Sequence, residues 1–149
     1  MRDSSLTGVM VVVGVLAAAS AFGWWHRRRD GRLRAVGPPS GPAADPELPA
    51  ALGIRPGVVT LVQFSSAFCA PCRAARRVLD AVRETLPGVH LVEVDVERHL
   101  DAVRELDVWR TPTVLVVDTA GRVVRRAAGV PDRQELIGVV TPLLTGADR

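Results

Sequence analysis

Lysine is absent from this 149-residue chain: all 19 basic side chains are arginine, set against 16 acids. Arginine-only usage extends over stretches with no phosphate-binding role, so it reads as the codon bias of a GC-rich genome. Two cysteines are too few for a disulfide-rich scaffold or a four-cysteine zinc site. No internal repeat is visible, and no nucleotide-binding glycine pattern occurs, so no bound organic cofactor is expected. What is present bounds the answer from the other side. An apolar fraction of 48% excludes a wholly disordered chain. The length fits one compact domain plus a tail and is too short for two ordinary domains.

A net charge of +3 and a pI near 10.0 point first to an anionic partner. The charge is uneven, however. Residues 1–34 carry six arginines against Asp3 and Asp30, while residues 35–149 carry 13 arginines against 14 acids. A nucleic-acid binder places its basic patch on the folded domain. Here the excess sits in a short N-terminal segment, which argues against a nucleic-acid partner.

That segment has its own layout. Residues 4–25 contain no charged side chain. A helix over this run reaches about 33 Å, enough for the hydrocarbon core of a bilayer. Gly8, Gly14 and Gly23 weaken a soluble helix but are ordinary in a membrane span, and Trp24 and Trp25 close the run where aromatic rings favour the interface. Ala19-Ser20-Ala21 mimics a signal-peptidase site. Against cleavage stand a weak basic start, Arg2 beside Asp3, and five arginines just beyond the site. A transmembrane anchor over 4–25 is therefore expected, in contact with membrane lipid, ahead of a cleaved signal or a buried soluble helix. The run lacks cysteine, which excludes a lipoprotein anchor. His26-Arg27-Arg28-Arg29, Arg32 and Arg34 make the C-terminal flank the more basic one, so the positive-inside rule places the rest of the chain in the cytoplasm.

Residues 26–56 read as a basic flank and a linker. Six of the eleven prolines fall in 36–57, with Gly37, Gly41, Gly53 and Gly57, a composition of extended chain that reaches roughly 70 Å when fully drawn out. A short helical turn is expected over 47–52. From residue 58 the pattern changes. Strands are expected at 58–64, 89–96, 113–117 and 122–127, and helices at 69–86, 97–106 and from Pro131 to about Leu144. Residues 118–121 form a hairpin turn. The order β-α-β-α-β-β-α is that of an α/β domain over 57–145 with a mixed sheet.

The chemistry sits at Cys69-Ala70-Pro71-Cys72, between the first of these strands and its helix. A cysteine at a helix N-terminus meets unpaired N–H groups and the positive end of the helix dipole, which favour the thiolate. The thiolate is the nucleophile of disulfide exchange, and a second thiol one turn on can attack the resulting mixed disulfide. Pro71 in the first turn loses no hydrogen bond. The alternatives are weaker. His90 and His99 lack the spacing of zinc ligands. A purely structural disulfide closing so short a loop gains little chain entropy.

The segment from Phe64 to Arg73, with Cys69-Ala70-Pro71-Cys72 inside it, resembles the active-site segment of the thioredoxin family. Thr111-Pro112-Thr113 resembles the family's cis-proline signature, and residues 118–121 followed by Gly129 resemble its hairpin and the glycine after it. The resemblance spans about 57–145 and implies a thioredoxin-like fold. It also implies that Cys69 is the attacker and Cys72 the resolver. The same resemblance implies that Pro112 is in cis, faces the pair and offers the backbone of Thr111 to an extended substrate strand. Arg110 is either a source of positive potential near Cys69 or a solvated side chain. Four departures bear on the redox potential. Phe68 replaces a tryptophan, Gln63 replaces a buried acid, Glu93 stands near the usual lysine, and Ala70-Pro71 replaces Gly-Pro. An acid displaced from the first strand to Glu93 is one expectation from this pattern.

The function expected is that of a membrane-tethered thiol-disulfide oxidoreductase reducing protein disulfides. Its electron donor would be a thioredoxin reductase or low-molecular-weight thiols on the cytoplasmic side. An extracytoplasmic domain would draw on a membrane dithiol carrier, as in thioredoxin-like proteins that serve cytochrome maturation. The alternative from another class is a non-catalytic thioredoxin-fold binding or chaperone module.

Overall fold

The computed structural model of the chain describes residues 2–36 and 51–146. The bulk of the proline-rich linker, and residues 47–50 of the turn expected over 47–52, lie outside the described residues. Contacts divide the chain into two units, Met1–Asp30 and Gly31–Arg149.

The first unit is one helix, α1 (Arg2–Arg29). Its stretch Gly8–Trp25 is long and apolar enough to cross a membrane, and none of it is buried against protein; a signal sequence meets the same test. Val9, Met10, Leu16 and Phe22 all lie exposed, so this apolar surface is not part of a protein core. Phe22 and Trp25, three residues apart, bring their rings within 6.5 Å at the end of the apolar stretch.

The second unit is built on a five-stranded sheet in the order β1-β5-β4-β2-β3. The strands are β1 (Arg34–Ala35), β2 (Thr60–Ser65), β3 (His90–Asp95), β4 (Thr113–Val117) and β5 (Val123–Ala128). β2 and β3 run parallel, joined by helix α2 (Ala70–Thr85), while β4 is antiparallel to both β2 and β5. Helix α3 (Leu100–Glu105) precedes β4, and α4 (Arg133–Thr145) closes the chain. This is the mixed α/β thioredoxin-like arrangement expected from the sequence.

Successive strand residues point to opposite faces, and both faces of this sheet are covered. On one face Leu61, Val114 and Val116 pack with Leu79 and Val82 of α2 and with Leu136 and Val140 of α4. On the other, Val62, Phe64, Val94, Leu115 and Val117 pack with Ala102 and Val108 and with Leu52 and Ile54. Two-sided burial explains why β2 and β4 are apolar runs rather than alternating ones.

Three local features differ from the sequence expectation. Arg34–Ala35, in the stretch read as basic flank, forms the edge strand against Arg125 and Arg126 of β5. Leu52 and Ile54, in the stretch read as linker, are core residues. Pro131 precedes α4 rather than opening its first turn; Asp132 caps the helix, its carboxylate accepting the Glu135 N–H at 2.9 Å.

Candidate active site

Helix α2 begins where β2 ends, and Cys69 is its cap. The Cys69 Sγ accepts the backbone N–H of Cys72 at 3.1 Å, and so does the Cys69 carbonyl. The first sulfur therefore takes up one of the amides that a helix N-terminus leaves unpaired. Pro71 lies in the first turn, and α2 turns Cys72, Ala75, Leu79 and Val82 inward at helical spacing. Leu86 ends the helix, its N–H returning to the Val82 carbonyl at 2.9 Å. Cys69 and Cys72 are joined in a disulfide, with their Cα atoms 5.2 Å apart. Cys72 is only 4% exposed. Phe68, immediately before the pair, is 99% exposed and has no part in the core.

The face of the sheet beneath α2 changes character along its length. Leu61 and Leu91 belong to the apolar core; two and four residues on, the same face carries Gln63 and Ser65 on β2 and Glu93 and Asp95 on β3. Gln63 is wholly buried, and its Nε2 donates to the Cys72 carbonyl at 3.0 Å. A carbonyl only accepts, so this contact settles the orientation of the amide. The Gln63 Oε1 is buried with no hydrogen-bond partner among the described residues. Glu93, opposite Gln63 in the register, accepts from Ser65 Oγ at 2.8 Å through one oxygen and from Arg76 at 3.0 Å through the other. An open cavity of about 590 Å3 lies here, lined by both cysteines, Arg73, Arg76, Glu93 and Asp95 among others.

The second loop expected at the site contributes differently. The Thr111–Pro112 peptide is cis, and Pro112 is buried, its carbonyl accepting the N–H of Gly129 at 2.8 Å. The Thr111 and Ser66 hydroxyls lie 3.5 Å apart, which ties this loop to the segment leading into Cys69. Arg110 donates to the Ala128 carbonyl at 3.2 Å. Thr111, Pro112 and Arg110 do not line the cavity around the cysteines; Glu93 does.

Ser65, Arg76 and Trp109 were not singled out from the sequence. Period-two alternation through Leu61, Gln63 and Ser65 carries the signal for Ser65, and helical spacing from Cys72 carries it for Arg76. Trp109, 87% exposed three residues before Pro112, has no local signal in the sequence. Among the described residues no group of three or more His, Cys, Asp or Glu is placed to hold a metal ion. His90 lies in β3, and the His99 ring is 3.1 Å from the Asp95 carbonyl.

Comparison with known proteins agrees with this geometry. A family model described as Thioredoxin matches residues 55–141. The thioredoxin of Chlamydia trachomatis is 31% identical over 88 residues, which are 59% of this chain and 84% of that protein. Thioredoxin-2 of Pyricularia oryzae is 32% identical over 83 residues, 55% of this chain and 48% of its own. Among solved structures, Fasciola hepatica thioredoxin is similar with a TM-score of 0.54 at 25% identity, covering 65% of this chain and 91% of that one. A chloroplastic thioredoxin z is similar with a TM-score of 0.57 at 25% identity, covering 67% and 89%.

Proposed function

Because this chain belongs to the thioredoxin family and carries the cysteine pair of a thiol-disulfide oxidoreductase, we propose that it reduces protein disulfides from a membrane tether. The observation that carries the reading is the Cys69 Sγ at the cap of α2, 3.1 Å from the Cys72 amide and on the wall of an open cavity. Amide donors and the helix dipole stabilise negative charge there, which favours Cys69 both as attacking thiolate and as leaving group.

The reaction runs in two exchanges. The Cys69 thiolate attacks one sulfur of a substrate disulfide; a Cys69–substrate bond forms, and the other substrate sulfur leaves as a thiolate. The Cys72 thiolate then attacks Cys69 Sγ; the Cys69–Cys72 bond forms, and the second substrate sulfur leaves. The substrate gains two electrons, and the protein ends in the disulfide form. Thr111 and Pro112 bind the substrate strand through the backbone of Thr111. Phe68 and Pro71 shape the rim beside Cys69. The arginine-rich flank supports a cytoplasmic domain, where a thioredoxin reductase or low-molecular-weight thiols would return the dithiol. The tether raises the effective concentration toward disulfide-bearing partners at the membrane.

Insulin reduction with dithiothreitol as donor tests turnover, and an inert wild type points instead to a non-catalytic binding module. The Cys72→Ser variant should accumulate mixed disulfides on Cys69. Capture of none, by a variant whose wild type is active, reverses the attacker and resolver roles.

A further inference from the structure

Cys72 cannot attack as a thiol, so the second exchange needs somewhere for its proton to go. The residue bonded to the Cys72 backbone from beneath, Gln63, has no ionisable group and uses its donor end for that bond. The cavity on which Cys72 opens carries two carboxylates, Glu93 and Asp95. Asp95 stands at the end of β3 and is occupied locally, accepting the Glu97 N–H at 2.9 Å and facing Arg98 at 3.6 Å. Glu93 is fixed toward the site from two other elements, by Ser65 of β2 and by Arg76 of α2. Its side chain is still 45% exposed. From the register it lies beside Gln63, the residue bonded to the Cys72 carbonyl.

We propose that Glu93, positioned by Ser65 and Arg76, accepts the proton of Cys72 through the solvent of the shared cavity. The inference rests on the reductase reading given above. In the mixed disulfide, the Cys72 S–H bond breaks and its proton passes to the Glu93 carboxylate. The electron pair left on Cys72 forms the bond to Cys69 Sγ, the Cys69–substrate bond breaks, and the departing substrate sulfur takes a proton from solvent. Glu93 then releases its proton through the open side of the cavity. The charged groups that share the cavity with Glu93 are Arg73 and Arg76 of α2 and Asp95 on its own strand; Arg76 also pairs with Asp80 at 3.2 Å. Arg76 holds the carboxylate in place, and its exposure keeps it in exchange with solvent. Glu93 is thus a positioning and proton-handling residue rather than a nucleophile.

The experiment separates the two exchanges. The full chain, reduced and in detergent, is mixed with a symmetric aromatic disulfide whose released thiolate is coloured. The first equivalent of colour reports attack by Cys69, and the second reports resolution by Cys72. In Glu93→Gln the second phase should slow by about tenfold or more near neutral pH while the first stays within about twofold, in line with loss of a general base. The gap should close as pH rises past about 8.5, where a free thiol ionises unaided. Ser65→Ala should slow the same phase by a smaller factor. A second phase unchanged in Glu93→Gln from pH 6 to 9 overturns the proposal, as does equal slowing of both phases. Slowing in Asp95→Asn in its place reassigns the proton to Asp95. A wild type without a first phase, or a Cys72→Ser variant that keeps the second, fails the reductase reading itself.

Discussion

Gln63 is held under Cys72 by one good hydrogen bond while its other polar atom is buried without a partner among the described residues. A satisfied buried hydrogen bond contributes about 1 kcal/mol, and a buried orphan acceptor costs about as much. The two nearly cancel. Replacing Gln63 by leucine removes both at similar volume, so the oxidised Gly31–Arg149 unit should change its unfolding free energy by less than about 1 kcal/mol. Phe64, its equally buried neighbour on the opposite face, should cost about 3–5 kcal/mol as alanine, because it leaves a cavity in the sheet–α3 core. Denaturant titration of both variants measures the contrast; a Gln63→Leu loss as large as that of Phe64→Ala removes the cancellation. Phe68 belongs to the other extreme. Fully exposed beside Cys69, it contributes nothing to the core, so Phe68→Ala should leave the melting temperature unchanged. It should raise the KM for a protein disulfide several-fold, the scale of losing about 1 kcal/mol at a binding surface, with little effect on a small disulfide. Both cysteines were legible in the sequence because chemistry ties them to one spacing. Periodicity could place Ser65 on the face of Gln63 and Arg76 one turn from Cys72, but not their roles, because a serine or arginine acquires a role only through the partner that the fold brings to it.

At the scale of elements, the sequence located the strands and helices of the βαβαββα order to within a few residues, since two-sided burial and helical spacing are periodic signals. What it missed was short or aperiodic. β1 has two residues, both arginine or alanine and both exposed, and its presence depends on the free edge of β5. Leu52 and Ile54 are isolated apolar residues among glycine and proline, where composition argues for solvated chain until the α3 side of the sheet is seen to need covering. Gly31 shows how the edge is held. It adopts φ +81°, its N–H bonds the Ala128 carbonyl at 2.7 Å, and a Cβ at this position would lie 1.9 Å from the Val130 carbonyl oxygen. Both contacts are to backbone, which cannot swing aside. Gly31→Ala should therefore cost about 1–3 kcal/mol and detach residues 31–36 from β5. Hydrogen exchange should show lost protection at β1 and the outer edge of β5, with β2 and β4 unaffected; retained protection at Gly31 refutes the steric account. At the other end of the unit, Asp132→Ala removes the α4 cap and should cost about 1 kcal/mol, read as a lower melting temperature.

The molecule as a whole distributes its charge unevenly along the chain. The arginine excess lies in residues 1–34, around an apolar helix with no protein against it, whereas the rest of the chain carries 13 arginines against 14 acids. A basic pI thus describes the flank of an apolar helix rather than the chain that follows it, a distinction lost in any average over the chain. Helix length and apolarity are common to an anchor and a signal sequence, so the charges beside the helix carry the argument for retention and for side. With Arg2 opposed by Asp3 before the apolar stretch of α1 and Arg27, Arg28 and Arg29 after it, the positive-inside rule predicts a cytoplasmic domain. Two results should follow in cells making the full chain. The protein should stay with membranes through alkaline extraction at its full mass; a soluble fragment beginning near residue 22 identifies a cleaved signal instead. The reduced cysteines should also resist a membrane-impermeant maleimide until the cells are opened. Changing Arg27, Arg28 and Arg29 to glutamine leaves the Gly8–Trp25 stretch untouched but removes most of the asymmetry, so a labelled population should appear in intact cells. Labelling of wild-type Cys69 from outside reverses the orientation, and with it the source of electrons, from a cytoplasmic thiol donor to a dithiol carrier in the membrane.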